Sequence, residues 1–195
     1  MTRSADTVAL GRIRPYRLDD ASAVHEAVRE SETDLERWLP WCHRGYTIEE
    51  SRSWLETQVT AFERGTGFAF AIESTDGRYL GGCGLSQLDL PNARANVGYW
   101  VRSSATRRGV ATGAVRLIRE WAFETTSLIR LEIVVAAGNM ASHRVAVKAG
   151  ATFEGTLRNR LVLHGTAHDA TLFSFTRPAH SSTRTVHSSG IDSGR

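Results

Sequence analysis

Lysine is almost missing from this 195-residue chain: Lys148 stands alone against 23 arginines. We read that imbalance as coding bias rather than chemistry. Cysteine is scarce too, with only Cys42 and Cys83, so no disulfide framework is indicated. No segment approaches the roughly 20 apolar residues that cross a bilayer. The N-terminal MTRSADTVALGRIRP also lacks the apolar stretch of a secretory signal. A cytoplasmic protein without membrane association is therefore expected. A strong charge of one sign is missing as well. Of the formal +3, residues 177–195 carry +2 through Arg177, Arg184 and Arg195 against Asp192. A nucleic-acid binder would show a clustered basic face. Here the arginines are scattered apart from Arg107-Arg108 and Arg158/Arg160, so nucleic acid is not the expected partner.

What is present reads as one globular domain, with 41% apolar and 23% charged residues. The segment from Pro178 onward is rich in Ser, Thr, Gly and His and has no periodicity. It buries too little apolar surface to offset its ordering entropy. The expected organisation is a domain over 1–177 and a disordered tail over 178–195.

Periodicity gives the elements. A strand over Val8–Leu18 ends at Asp19-Asp20, a good N-cap pair for a helix over 20–30. A short helical piece over Glu32–Leu39 stops at Pro40. Thr47-Ile-Glu-Glu50 has the spacing of a capping box, and its helix runs to about Arg64 with Trp54, Leu55, Val59 and Phe62 on one side. Strands Phe68–Ser74, Arg78–Asp89 and Asn96–Arg102 form a meander, turned first at Asp76-Gly77. Ala114, Leu117, Ile118, Trp121 and Ala122 then recur at helical spacing. The apolar strand Leu128–Ala136, a helix over Asn139–Ala149 ended by Gly150, and a hairpin turned at His164-Gly165 complete the chain. A β-α-α-β-β-β-α-β-α-β-β order predicts an α+β fold: a mixed sheet of about seven strands, mostly antiparallel, with helices on both faces.

Two constellations carry chemistry. In TRRGVAT (106–112), a glycine and two arginines stand where a strand gives way to a helix. Open backbone N–H groups, a dipole's positive end and close main-chain approach make an anion site there, although a solvated loop beginning a helix has the same string. In GNMASHRVAVKAGATFEG (138–155), Asn139 and Ser142 open a helix after the central strand. Both side chains would face whatever lies beyond that strand, and simple helix capping is the plain alternative.

Together with IRPYRLDDASAV, LERWLPW at 35–41 and GYWVRSSATRRGVATGAVRLI at 98–118, these stretches make the chain similar to the GNAT N-acetyltransferases. The resemblance is to the ribosomal-protein alanine/serine (RimJ/RimL-like) branch and covers about residues 10–176. It implies acetyl-CoA as co-substrate, no metal, and transfer to a primary amine, most of all a protein or peptide N-terminal α-amine. It places the pyrophosphate on Arg107, Arg108, Gly109, Val110, Ala111, Thr112 and Gly113, and the pantetheine arm on Trp100, Val101, Arg102 and Asn139. It adds Lys148 to the cofactor contacts. Ser142 would lie near the thioester sulfur, with Tyr99 in the catalytic set through the strand N–H groups that meet the oxyanion.

Three positions in two places depart from the pattern. Thr106 opens the phosphate turn, and Arg107 stands where a second glycine is common. Arg107 is thus expected to hold a Cβ-tolerant conformation in a differently shaped turn. Asn96 occupies a place where many relatives have a glutamate base, and an amide takes no proton. An α-amine is about one part in ten neutral at pH 7, against about 0.04% for a lysine, so a missing base favours α-amine acceptors.

Other candidates are Trp38 and Trp41 as walls of the acceptor site, and Glu73 as an alternative base. His164 and His168-Asp169 lack a further metal ligand, Asp169 reads as structural, and Cys83 as a small buried residue. The rival functions are acetylation of a small amine such as an antibiotic, polyamine or aminoacyl conjugate, and a non-catalytic acyl-CoA or RNA-binding module. A monomer or homodimer is expected.

Overall fold

The computed structural model describes residues 9–177, so the tail assigned to 178–195 lies outside the described residues. The strands are β1 (Leu10–Pro15), β2 (Phe68–Ser74), β3 (Tyr79–Asp89), β4 (Arg94–Val101), β5 (Arg130–Ala136), β6 (Thr152–Leu163) and β7 (Thr166–Thr176). The helices are α1 (Ala21–Glu36), α2 (Ile48–Glu63), α3 (Val110–Thr125) and α4 (Met140–Ala149). All seven strands join one sheet in the order β1-β2-β3-β4-β5-β7-β6. Among the described strands β4 and β5 are the one neighbouring pair that runs parallel, and the helix α3 carries the chain back between them. The expected α+β architecture is the one found.

The two faces have separate cores. Val110, Ala114, Val115 and Ile118 of α3 and Ala146 and Ala149 of α4 pack on Leu80, Val97, Leu131, Ile133 and Phe173 of the sheet. On the other face Val24, Ala27 and Val28 of α1 and Leu55 of α2 pack with Tyr16, Ala71 and Tyr79. Fully buried side chains of this size each contribute about 1.5–3 kcal/mol. Among the described residues no helix is long and apolar enough to cross a membrane.

Two local expectations change. The separate helical pieces over 20–30 and 32–39 are one helix, α1, since nothing in Glu30-Ser31-Glu32 breaks it. Asp20 does not cap α1; its carboxylate turns back to accept from the Arg17 N–H at 2.8 Å and pairs with Arg14 at 2.6 Å. It closes a 3-10 turn over Leu18–Asp20 instead. The α2 capping box forms as read, with the Glu50 N–H donating to Thr47 Oγ1 at 3.2 Å and the Thr47 N–H to Glu50 at 2.8 Å.

Candidate active site

The parallel ladder between β4 and β5 is short. It pairs Arg94 with Arg130, Ala95 with Leu131 and Asn96 with Glu132, and then stops. β4 continues to Val101 beside β3, and β5 continues to Ala136 beside β7, so the two strands splay into a cleft with its apex at Asn96. The β3–β4 ladder decides which backbone groups face that cleft. The Arg102 N–H donates to the Leu80 carbonyl at 2.8 Å. By antiparallel alternation Trp100, Gly98 and Asn96 also turn to β3, while Val101, Tyr99 and Val97 turn to the cleft. Val101 and Tyr99 thus offer main-chain groups to a pantetheine arm or an oxyanion. Trp100 and Arg102 do not.

Arg102 is turned further away. Its carbonyl accepts from the Ala105 N–H at 2.9 Å. Its side chain is 3% exposed and held by Glu26 at 2.6 Å, by Glu30, and by the Tyr79 carbonyl at 3.2 Å. The residue joins β4 to α1 rather than touching the cleft.

The phosphate turn follows at the cleft's open end. Arg107 has φ +61° and Gly109 φ +80°, both left-handed. The expectation of a Cβ-tolerant turn at Arg107 is overturned. An arginine holds the conformation a glycine would favour, at about 1–2 kcal/mol for an L-residue. No side chain caps α3, whose first internal bond runs from the Gly113 N–H to the Gly109 carbonyl at 2.9 Å. The Val110, Ala111 and Thr112 N–H groups precede that bond and lie at the dipole's positive end. A Cβ added at Gly109 would meet nothing within 4 Å, so nothing crowds the turn at Gly109 itself. Gly113 has a packing reason: its Cβ would stand 2.3 Å from Leu10 Cδ2. The residues present fit a pyrophosphate.

Across the cleft, α4 supplies the second set. Asn139 Oδ1 caps the helix by accepting from the Ser142 N–H at 3.0 Å. Its amide NH2 is left as the group able to donate to a carbonyl. Ser142 Oγ lies 2.8 Å from the Tyr99 hydroxyl, which also reaches the Ser142 carbonyl at 3.1 Å. Burial pushes the Tyr99 phenol up to about 12, with Ser142 pulling weakly the other way. It stays protonated at working pH and acts as a donor.

Asn96 stands at the apex, and its Oδ1 is buried without a hydrogen-bond partner. Leaving such an atom unpaired costs about 1–3 kcal/mol. Its neighbour Glu132 is held by Arg130 at 2.8 Å and Arg94 at 3.5 Å. Lys148 sits in the last turn of α4, about 13 Å along the helix from Asn139. Its carbonyl accepts from Arg116. Glu73 is not brought to the cleft: Arg14 at 2.6 Å and Arg12 at 2.9 Å hold its carboxylate on β2.

Trp38 and Trp41 part company. Trp38 lines a small cavity of about 340 Å³ with Gly138 and His168. In the same place His164 Nε2 donates to the Glu36 carbonyl at 2.7 Å, tying the β6–β7 tip to α1. Asp169 accepts from the Asn159 N–H at 2.9 Å and steadies a bulge in β6. Cys83 is buried, which pushes its thiol above the ordinary range and makes it a poor nucleophile.

Trp41 lines a larger cavity of about 540 Å³ between α1, α2 and the sheet. Sequence reasoning missed this cavity. Its rings come from Tyr16, Tyr46, Trp54, Phe68 and Trp100, five separate segments, and Gly82, Gly84 and Gly98 form its floor. The signal available was the alternation of glycines in Gly82-Cys83-Gly84, which strips one face of β3. A Cβ at Gly82 would stand 2.4 Å from Tyr16 Oη and 3.1 Å from Trp100 Nε1. Cavity and cleft meet along Gly98–Trp100 of β4.

The comparisons with known proteins agree with this geometry. A family model described as an acetyltransferase (GNAT) domain matches residues 12–152. The chain is 30% identical over 165 residues to a Bacillus subtilis (strain 168) protein named "Putative ribosomal N-acetyltransferase YdaF", covering 83% of this chain and 88% of that one. Mycobacterium smegmatis RimJ in complex with CoA-disulfide superposes with a TM-score of 0.76 at 27% identity, over 86% of each chain. RimL, a ribosomal L7/L12 alpha-N-protein acetyltransferase in complex with coenzyme A, shares the fold, with a TM-score of 0.78 at 21% identity over 84% of this chain and 92% of that one. On the extent of these matches, the chain belongs to the GNAT family of acetyltransferases.

Proposed function

We propose that the protein transfers an acetyl group from acetyl-CoA to a primary amine, foremost the N-terminal α-amine of a protein or peptide. The observation that carries this is the cleft opened where the β4–β5 ladder stops at Asn96, with the α3 turn at its mouth and the Tyr99–Ser142 pair across it. Acetyl-CoA supplies an activated acetyl thioester. The Val110–Thr112 N–H groups hold the pyrophosphate, with Arg107 and Arg108 adding charge. Val101 and the Asn139 amide NH2 hold the pantetheine arm as strand-like partners.

A Tyr99 or Val101 N–H stabilises charge on the carbonyl oxygen, as a fixed dipole aimed into a narrow cleft. Ser142, backed by the neutral Tyr99 hydroxyl, donates a hydrogen bond to the departing sulfur. A thiol near pKa 8.5 needs no more than that. No free carboxylate faces the cleft at the place of Asn96, which suits an acceptor that is already partly neutral. One relative is named a putative ribosomal N-acetyltransferase and one structural neighbour a ribosomal L7/L12 alpha-N-protein acetyltransferase, which supports a protein N-terminus as the acceptor.

The test is thiol release from acetyl-CoA with N-terminal peptides, lysine peptides, polyamines and aminoglycosides as acceptors. The reading expects N-terminal peptides to lead. Release with lysine peptides alone would defeat it.

A further inference from the structure

The 540 Å³ cavity is larger than a small N-terminal side chain needs. A methyl or hydroxymethyl group is about the size of one water, roughly 30 Å³. Cavities of several hundred Å³ match ligands that carry rings. The walls point the same way. Trp41 lies 6.0 Å from Trp100 and 6.1 Å from Tyr46 between ring centroids, and Tyr16 meets Trp54 edge-on at 4.9 Å. Glycines make up part of the floor, and a Cβ at Gly98 would meet nothing within 4 Å.

Charge is missing where a polycation would need it. Among the described residues Glu50 is the one carboxylate in the lining, and it is already held by the Thr47 N–H at 2.8 Å and His43 Nε2 at 2.8 Å. A reacting amine must come within about 3–3.5 Å of the thioester carbonyl. Cavity and cleft share the backbone of Gly98–Trp100, so a group seated in the cavity holds its amine beside the Tyr99 side of that strand.

We propose that this cavity selects acceptors whose amine stands next to a large apolar or aromatic group, in the size range of leucine, phenylalanine or tryptophan. The proposal rests on the acetyltransferase reading above and gives that site its specificity. It sets polyamines and aminoglycosides aside, because no unpaired carboxylate receives them. Each further buried methylene is worth about fourfold in affinity.

The test uses the full chain, acetyl-CoA and peptides differing only in the first residue: Ala, Ser, Leu, Phe or Trp. The expected kcat/KM is at least about tenfold higher for Phe and Trp than for Ala and Ser, with most of the difference in KM. Gly98→Val fills the floor and lowers the Phe-to-Ala ratio by about tenfold. A second readout needs neither turnover nor the variant. Trp41, Trp54 and Trp100 line the cavity, so N-acetylphenylalaninamide changes the intrinsic fluorescence at concentrations where N-acetylalaninamide does not. Equal or faster transfer to the Ala and Ser peptides, or equal fluorescence responses, overturns this specificity and leaves N-terminal acetylation standing. No thiol release with any peptide overturns the acetyltransferase reading itself.

Discussion

The Tyr99 hydroxyl of β4 lies 2.8 Å from Ser142 Oγ of α4, joining the two walls of the cleft by side chains where the backbone ladder has ended. The pair is a short donor chain: a phenol held neutral by burial behind a hydroxyl at a helix N-terminus. Ser142→Ala is expected to lower kcat by about tenfold with little change in KM for acetyl-CoA. That is below the usual 10²–10⁴ of general acid catalysis, because a thiolate leaves readily. Tyr99→Phe should cost less, since Ser142 keeps its own proton. Unchanged turnover in Ser142→Ala would remove the pair from the reaction.

Arg107 separates strain from charge. Arg107→Gly and Arg107→Ala both delete the guanidinium, but only glycine relieves the left-handed φ of +61°. Arg107→Gly is expected to gain up to about 1 kcal/mol over Arg107→Ala, a melting difference of about 2–4 °C. Both should weaken acetyl-CoA binding alike, and less so at high salt, if the arginine meets phosphate. Thermal melts and titration calorimetry at two ionic strengths read the two effects apart.

The pH dependence should belong to the acceptor. Burial pushes Tyr99 up to about 12 and lifts Tyr16, Tyr46 and Cys83 above their ordinary values. Glu50 is held below the usual carboxylate range by His43 and Thr47. Glu132, opposite Asn96, is ion-paired with Arg130 and Arg94. His43 is raised by the Arg44 carbonyl and Glu50, and it is exposed beside Glu50 of the cavity lining. We expect kcat/KM to climb with pH up to the pKa of whichever amine is used, and to move when that amine is changed. His43→Gln should leave the curve in place. A limb that stays fixed across acceptors would reveal an enzymic base.

Much of this was legible in the chain, and the failures have physical causes. The strand and helix order follows from periodicity and from local caps such as Thr47–Glu50 and Gly150, which need only neighbours in sequence. The proposed donor side draws on the same kind of signal, since the turn at 106–113 and the Asn139/Ser142 helix start are each continuous segments. The cavity was not legible. Tyr16, Tyr46, Trp54, Phe68 and Trp100 become one wall only when the turn after β1, the loop before α2, α2 itself, β2 and β4 meet, and each looks like an ordinary core aromatic in its own segment. Arg102 misled for a related reason. The resemblance implied a cofactor contact there, while its partners Glu26 and Glu30 lie more than 70 residues earlier in the chain.

Acid should loosen the fold through two carboxylates. Burial raises Glu30, but Arg102 and the Ser104 N–H outweigh it and hold the group at about 2. Arg130, then Ser174, hold Glu154 at about 2. Both folded values lie below the ordinary 4.5, so their contribution is full above about pH 4.5 and is lost as pH falls toward 2. Urea midpoints measured from pH 7 to pH 2.5 should fall most steeply in that window. Glu30→Gln should start lower at pH 7 and fall less. A slope unchanged in Glu30→Gln would place the acid sensitivity elsewhere.

The bonds around Arg102 extend beyond stability. The Ser103 N–H donates to Ser31 Oγ at 2.9 Å and the Ser104 N–H to Glu30 at 2.8 Å, so the segment leading into the phosphate turn is fastened to α1. α1 also carries Val24 and Val28 of the aromatic cavity. The proposed seat of the donor and the proposed wall of the acceptor site are thus fastened to one helix, α1. A displacement of α1 would therefore be passed to both sites at once, which ties the spacing of donor and acceptor to the placement of that one helix.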